Sequence, residues 1–141
     1  MEVGEKTMKV LLTGGSGNLG QTLVPMLLAN GDMPAILDVR APPHLNRRAV
    51  FIEGSVLDRS KLTEIFRGCD CIVHIAAWHG IHEDRGEKNA YDFFDLNVRG
   101  TFEVFEAAAS NTSKVPRTFR SKKSYADFSP RASWMPCQAA M

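Results

Sequence analysis

Closely spaced glycines near the start of the chain are the first residues whose type and spacing could do chemistry. Residues 13–20 read Thr-Gly-Gly-Ser-Gly-Asn-Leu-Gly, which fits both G-x-x-G-x-x-G and G-x-G-x-x-G. Such a turn needs glycine because its backbone bends tightly and approaches a bound phosphate closely. A helix that begins here would offer unpaired N–H groups and a favourable dipole to an anion. The pattern predicts a pyrophosphate-binding turn, and a purely structural glycine loop is the alternative.

A second phosphate-binding pattern overlaps the same turn. Residues 15–22 also fit G-x-x-x-x-G-Q-T, which is close to the phosphate loop of nucleoside triphosphatases. That loop requires Lys at the place of Gln21, because a positive charge must neutralise the terminal phosphates. A neutral Gln cannot do this, and the sequence therefore argues against a triphosphatase.

Asp38 is the second candidate binding residue. It ends an apolar run and follows Gly14 by 24 residues, close to the ~20-residue offset of a ribose-binding acid. A carboxylate there accepts hydrogen bonds from the adenosine ribose and repels a 2′-phosphate, which favours NAD over NADP. Arg40 lies two residues further on and could pair with a 2′-phosphate, so NADP stays open. The alternative for Asp38 is an ordinary turn residue.

Short apolar runs alternate with helix-like segments and would position these residues. Strands are predicted at 10–12, 35–38, 50–52 and 71–75, and helices at 19–30, 57–67 and 91–110. The strands are continuous apolar runs, which is typical of a parallel sheet buried on both faces. The fold class is therefore α/β, a doubly wound Rossmann-type parallel sheet with about four strands, and its ligand site lies at the carboxyl ends of the strands.

The long helix predicted at 91–110 carries an apolar stripe. Phe94, Val98, Phe102 and Phe105 recur at helical spacing. A stripe of this kind is typical of a helix that packs against a core.

Four motifs in this order resemble the extended short-chain dehydrogenase/reductase family, the NAD-dependent epimerase/dehydratase group that includes nucleotide-sugar epimerases. Two are the glycine turn at 13–20 and Asp38 at a strand end. The third, Val73-His74-Ile75-Ala76-Ala77, is similar to the family's V-x-H-x-A-A. The fourth, Asn97-Val98-Arg99-Gly100-Thr101, is similar to its N-V-x-G-T. The resemblance covers about residues 8–111.

The resemblance implies which residues bind the phosphate and ribose groups of the cofactor. Gly14, Gly17 and the backbone of Asn18 and Leu19 would hold the pyrophosphate. Asp38 would bind the adenosine ribose. The implied cofactor is NAD, with NADP as the alternative.

The resemblance also implies residues for the two ends of the cofactor. Ser55 stands where the family usually has an Asp that contacts the adenine amino group, and Val56 would add a backbone contact there. Ala76 and Ala77 would be small because the cofactor's ribose and nicotinamide side pass over that strand end. Asn97 would support the active site from the long helix.

The catalytic Tyr-x-x-x-Lys of the family is missing from this sequence. Tyr91 is followed four residues later by Asp95, and Tyr125 by Ser129. No catalytic residue is assigned, because the lysine is what lets the tyrosine move a proton at neutral pH. We expect an NAD(P)-binding domain, truncated before that pair, from an oxidoreductase that transfers hydride on a sugar or another carbonyl or alcohol substrate. The alternative is a non-catalytic dinucleotide-sensing or protein-interaction module.

Charge divides the chain into two parts. Residues 1–111 contain eleven Lys or Arg and fifteen Asp or Glu, whereas residues 112–141 contain six and one. We expect a binding domain at 8–111, and a basic tail at 112–141 that is disordered or non-homologous. The overall net charge of +1 argues against nucleic acid as a partner.

Without a fifth strand beside it, the strand at 71–75 would be an open apolar edge, which predicts self-association.

Cysteine use and hydropathy suggest a compartment. Three cysteines without a C-x-x-C pair favour a reducing environment, and no apolar run is long enough to cross a membrane. A cytoplasmic protein is the expectation.

His79, His82, Glu83 and Asp84 could ligate a metal. Their spacing does not place a third ligand on a defined helix face, which argues against a metal site. We favour a loop over the substrate side of the cofactor, with a solvated loop as the alternative.

Overall fold

The computed structural model describes residues 7–79 and 84–111, and its elements follow the predicted order. The strands are β1 (Lys9–Thr13), β2 (Met33–Asp38), β3 (Val50–Glu53) and β4 (Cys71–His74). The helices are α1 (Asn18–Ala29), α2 (Arg59–Phe66), α3 (Ala90–Phe93) and α4 (Thr101–Ser110), with a π-helical segment at Phe94–Gly100. Since α3, this segment and α4 are continuous, residues 90–110 are called the long helix.

The four described strands form one parallel sheet in the order β3-β2-β1-β4. Leu11 of β1 is paired with Ala35 of β2 on one side and with Ile72 of β4 on the other. The chain therefore leaves β1 in one direction to build β2 and β3, and returns to the opposite side to build β4. The reversal at β1 opens a crevice at the carboxyl edge, between β1 and β4.

Two apolar cores cover the two faces of the sheet. Alternate residues of β1 point to opposite faces, so Leu11 belongs to one core while Val10 and Leu12 belong to the other. The first core contains residues of α2 and the long helix, and the second contains residues of α1. This arrangement confirms the doubly wound α/β fold.

The long helix packs on the sheet with a different face from the one predicted. Gly100, Val104 and Ala107 are buried, whereas all four residues of the predicted stripe are more than half exposed. A Cβ atom on Gly100 would lie 2.9 Å from Cγ2 of Val56, so the contact is too close for a larger side chain. The helix therefore packs through small residues, and its bulky stripe faces outward.

β4 is the last strand of the described sheet, and each of its four residues is partly buried. Whether its outer edge is open, as the sequence predicts, stays a prediction. In the part of the chain that the structure describes, no helix has the length and apolar character that crossing a bilayer requires.

Candidate functional site

A cleft of about 930 Å³ lies along the carboxyl edge of the sheet. It is bounded by the glycine turn after β1, the residues after β2 and β3, and the segment after β4. Nine of the ten residues predicted from the sequence line it: Gly14, Gly17, Asn18, Leu19, Asp38, Ser55, Val56, Ala76 and Ala77. The tenth, Asn97, does not line the cleft, and its side-chain amide contacts the backbone of Trp78, which does.

Gly14 lies where the backbone after β1 packs against the backbone after β4. Its φ is +71°, a left-handed conformation that disfavours other residues, and its N–H donates to Leu37 O at 2.8 Å. A Cβ atom built on Gly14 would lie 2.5 Å from the Cα of Ala76. The tight turn is present, and the close approach in the structure is to protein backbone at the floor of the cleft. The approach to a phosphate stays a prediction.

The glycine turn leaves the first N–H groups of α1 open to the cleft. Gly17 is the N-cap residue and has no side chain that could bond to them. A Cβ atom on Gly20 would lie 2.1 Å from Gly15 O. The first turn of α1 can pack against the loop because glycine has no Cβ atom. Gln21, the residue that replaces the triphosphatase lysine, donates instead to Ser16 O at 3.2 Å. Its amide therefore contacts the backbone of the glycine turn, and Gln21 does not line the cleft.

Backbone donors orient the carboxylate of Asp38. Oδ2 accepts a hydrogen bond from the Ser16 N–H at 3.1 Å, and Oδ1 accepts one from the Arg40 N–H at 3.3 Å. Ser16 also donates its hydroxyl to Arg40 O at 2.6 Å. These contacts fasten the glycine turn to the end of β2. An ionised carboxylate can accept about four hydrogen bonds, so one position on each oxygen stays available.

Ser55 and Val56 form the wall after β3. The Ser55 hydroxyl accepts a hydrogen bond from the Leu57 N–H at 3.2 Å, and its own proton is free to be donated. Val56 lines the cleft and also belongs to the core that packs on the long helix. The position of this wall is therefore tied to the position of the long helix.

Asn97 holds the segment after β4 with two hydrogen bonds. Its Nδ2 donates to Trp78 O and its Oδ1 accepts from the Trp78 N–H, both at 2.8 Å. Asn97 lies in the π-helical segment, a distortion often found at functional sites. It acts as a positioning residue, because it fixes the backbone that continues from Ala76 and Ala77.

Trp78 and Lys88 also line the cleft, although neither was among the candidate binding residues. The Lys88 ammonium lies 4.8 Å from the centre of the Trp78 ring, within cation–π range. No fixed spacing marks this pair in the sequence; an aromatic residue just past a strand's carboxyl end was the available signal.

His79 lines the cleft too, whereas His82 and Glu83 lie outside the described residues. Among the described residues, no three His, Cys, Asp or Glu side chains are grouped to hold a metal ion.

His74 connects three elements beneath the cleft. Thr13 Oγ1 lies 2.6 Å from its Nδ1, and Thr101 Oγ1 lies 3.0 Å from its Nε2. The Thr101 hydroxyl donates its proton to Asn97 O at 2.7 Å, so it must accept from Nε2–H. Nε2 of His74 therefore carries a proton, and in the neutral ring its Nδ1 accepts from the hydroxyl of buried Thr13. Burial lowers the pKa of His74, which fits its place in β4 between two threonine hydroxyls.

This arrangement predicts that the chain loses stability in mild acid. The folded pKa of His74 is depressed from its ordinary value of 6.5, so below that pH the unfolded chain binds a proton that the folded chain does not. The free energy of unfolding should fall with pH below about 6.5, by at most ~1.4 kcal/mol per pH unit for one proton. Urea unfolding across this range measures the slope. His74→Gln should flatten it, and an unchanged slope in that variant would contradict the assignment.

Comparison with known proteins matches this chain to one family. Residues 10–138 match the sequence profile of the NAD dependent epimerase/dehydratase family. The chain is 30% identical over 118 residues to the short-chain dehydrogenase/reductase family 42E member 1 of Danio rerio, covering 83% of this chain and 30% of that one. It is 32% identical over 112 residues to a UDP-glucose 4-epimerase of Klebsiella pneumoniae, covering 71% and 79%.

Solved structures agree with these sequence matches. A dTDP-glucose 4,6-dehydratase of Streptomyces venezuelae with NAD and TYD bound has a TM-score of 0.64 and 32% identity, covering 74% of this chain and 37% of that one. A UDP-glucose 4-epimerase of Brucella ovis in complex with NAD has a TM-score of 0.63 and 25% identity, covering 77% and 34%. The chain thus spans about a third of both solved structures and of the Danio rerio relative. Its sequence and its fold together establish that the chain belongs to the NAD-dependent epimerase/dehydratase family.

Proposed function

We propose that this chain binds NAD in the cleft, as the cofactor-binding part of an oxidoreductase of the epimerase/dehydratase type. The observation that carries the proposal is the convergence of the open α1 N-terminus and the oriented Asp38 carboxylate on one cleft. An anion-binding end and a hydroxyl-binding carboxylate are the two groups that a dinucleotide requires. Relatives solved with NAD bound support the same cofactor.

The turn residues would bind the pyrophosphate. Gly17 carries no side chain above the turn, and the backbone N–H groups of Asn18 and Leu19 begin α1. Those groups can donate to phosphate oxygens while the dipole of the twelve-residue helix stabilises the negative charge. Gly14 contributes by its shape, since it lets the turn lie flat against Ala76.

Asp38 would select NAD. Its two remaining acceptor positions match the two hydroxyls of the adenosine ribose, whereas a 2′-phosphate would meet a fixed negative charge. Ser55 can donate one hydrogen bond to the adenine, which is weaker recognition than the family's usual carboxylate supplies. Arg40 lines the same end of the cleft and is the residue that would accommodate NADP.

The nicotinamide end would lie over Ala76, Ala77 and Trp78. NAD supplies hydride chemistry when it is bound, and these residues orient the ring and exclude water from one side of it. Asn97 holds their backbone, and His74 and Thr101 hold the carbonyl of Asn97 in turn. A small-molecule substrate of the whole enzyme, a sugar in the named relatives, would approach this end.

A second candidate is a dinucleotide-sensing or protein-interaction module without catalysis. It is favoured by one observation: neither tyrosine of the 141 residues is followed by a lysine four positions later. Both candidates require dinucleotide binding and differ in turnover. The family match continues to residue 138, so the division into 8–111 and 112–141 stays a prediction.

Titration of the full chain with NADH and with NADPH tests the proposal. We expect saturable NADH binding at least about tenfold tighter than NADPH binding, a difference of about 1.4 kcal/mol. Met26→Ala is a matched control, because Met26 is exposed on α1 outside the cleft and should leave both affinities unchanged. Absence of saturable NADH binding at millimolar concentration would overturn the proposal. Incubation with NAD and UDP-glucose separates the candidates, since conversion of the sugar would exclude the sensing module.

We further propose that the chain is cytoplasmic and that its copies associate. Cys69 and Cys71 are free thiols, and burial raises the pKa of both, which suits a reducing compartment. Self-association was expected from the open edge of β4. Because all four residues of β4 are partly buried, the most exposed apolar surface of the described chain lies elsewhere.

A further inference from the structure

His74 connects the two sides of the cleft, although it does not line the cleft itself. Its Nδ1 lies 2.6 Å from Oγ1 of Thr13, the residue that precedes the glycine turn. Its Nε2 lies 3.0 Å from Oγ1 of Thr101 on the long helix. One imidazole ring therefore joins the strand that carries the anion-binding turn to the helix that holds the segment after β4.

Hydrogen bonds continue from His74 to the backbone of the cleft. Thr101 donates its hydroxyl proton to Asn97 O at 2.7 Å, and the Asn97 amide makes two hydrogen bonds of 2.8 Å to the backbone of Trp78. On the other side of the ring, Thr13 is buried and leads directly into the glycine turn. Both ends of the cleft are thus linked to the hydrogen bonds that His74 makes.

The bond between His74 and Thr13 requires the neutral ring. A neutral imidazole accepts at one nitrogen, whereas an imidazolium donates from both. A proton on Nδ1 would face the Thr13 hydroxyl, which must then turn its own proton away from the ring. Thr13 is 0% exposed, so that proton does not reach water, and a buried donor without an acceptor costs about 1–3 kcal/mol. Protonation of His74 therefore strains the residue that precedes the glycine turn.

Charged side chains on the elements around His74 do not offset this cost. Burial is the cause of its lowered pKa, and no charged side chain of the described residues contributes to the shift. Asp95 of the long helix pairs with Arg99, and Glu103 pairs with Arg59 of α2. The remaining charged or titratable residues lie elsewhere: Lys9 at the other end of β1, Lys61 against Gly54, Lys88 on the Trp78 ring, Asp92 at the Asn89 backbone, and Glu64, Arg67, His79 and Glu106 on the surface.

We propose that His74 is a positioning residue of the cofactor site, and that the cleft binds the dinucleotide more tightly when the His74 ring is neutral. This inference rests on the proposed function, because it concerns the affinity of the same cleft. A dinucleotide seated over Ala76 and Ala77 would also remove water from the end of β4, which disfavours the charged ring further.

The direction of the effect follows from proton linkage. The pKa of His74 in the free folded chain is already below its ordinary value, and binding that favours the neutral ring lowers this pKa further. Affinity is therefore constant above the pKa of the free chain and falls as the pH falls through it. For one proton, the dissociation constant rises by at most about tenfold per pH unit.

Calorimetric titration of the full chain with NAD from about pH 7.5 to about pH 5 tests the proposal. NAD is the probe because it is stable in acid and has no group that titrates in this range. We expect the dissociation constant to rise towards acid in the wild-type chain. His74→Gln keeps a donor towards Thr101 but takes up no proton, so its affinity should not depend on pH. A wild-type affinity that is constant, or that increases in acid, would overturn the inference.

Two histidine variants are the controls. His44→Gln removes an exposed histidine that does not line the cleft, and it should keep both the affinity and the pH dependence of the wild-type chain. His79→Gln removes a histidine of the cleft and should keep the loss of affinity in acid, since protonated His79 would attract the anionic cofactor. A loss that persists in His74→Gln, or that disappears in His79→Gln, would assign the effect to another group.

The backbone amide of Trp78 gives a readout that needs no cofactor. Its NMR signal in the free chain should titrate together with the His74 ring, and should stop doing so in Thr101→Val, which removes the hydroxyl between His74 and Asn97. Circular dichroism checks that the variants are folded. A Trp78 amide that ignores the protonation of His74 would refute the path through Thr101. Absence of NAD binding at every pH would overturn the proposed function together with this inference, whereas binding that does not depend on pH overturns this inference alone.

Discussion

Gly14→Ala is expected to destabilise the chain by about 3 kcal/mol and to abolish NADH binding. The left-handed conformation at φ +71° costs an L-residue about 1–2 kcal/mol. The new methyl group would also lie 2.5 Å from the Cα of Ala76, which forces β1 and β4 apart at their carboxyl ends. Urea unfolding measures the first effect and NADH titration the second.

Gly31→Ala is the matched control for this substitution. Gly31 also has a left-handed conformation, with φ +84°, but no atom lies within 4 Å of the Cβ position. It should cost only the conformational strain, about 1 kcal/mol, and leave NADH affinity unchanged. The difference between the two variants is the energy of the close approach at the cleft floor. Equal losses of stability would show that the approach of Gly14 to Ala76 is not tight.

Asp38→Ala is expected to lower NADH affinity about 100-fold and to remove the preference over NADPH. The substitution deletes two hydrogen bonds from a charged acceptor to the ribose, each about 1.5 kcal/mol or more. It also releases the Ser16 and Arg40 N–H groups, so the glycine turn loses its attachment to the end of β2. Isothermal titration with both dinucleotides measures the change.

Asp58→Ala provides the control for removal of a carboxylate. Asp58 caps α2 by accepting from the Lys61 N–H at 3.0 Å, and hydrogen bonds from Ser60 and Lys61 lower its pKa. Its loss weakens the start of α2 but leaves the cleft intact, so the ratio of NADH to NADPH affinity should not change. Unchanged selectivity in Asp38→Ala would refute the assignment of Asp38 to the ribose.

The lining of the cleft was predictable because it depends on topology. Parallel strands end at the same edge, so residues that follow β1, β2, β3 and β4 must meet there whatever the details of packing. Gly14, Asp38, Ser55 and Ala76 each follow a strand or end one, and all four line the cleft. Their individual roles in binding remain predictions.

Asn97 was less predictable because its contacts depend on helix geometry. A regular helix would give its side chain one direction, whereas the π-helical segment inserts an extra residue in the turn. In this segment the Asn97 amide makes two hydrogen bonds to the Trp78 backbone. The hydrogen-bonded chain from Thr13 through His74 to Thr101 is similarly invisible in the sequence, since its members are 61 and 27 residues apart.

The sequence by itself determined the order of strands and helices, the doubly wound sheet and the glycine turn, because these follow from local apolar periodicity and from glycine's conformational freedom. Tertiary structure decided which face of the long helix is buried. The apolar residues of that helix recur on two faces, and the larger side chains of the aromatic face would favour its burial. Close packing reverses the choice, because a Cβ on Gly100 would meet Val56 at 2.9 Å and only small residues fit there. The aromatic face is consequently left exposed in the described chain.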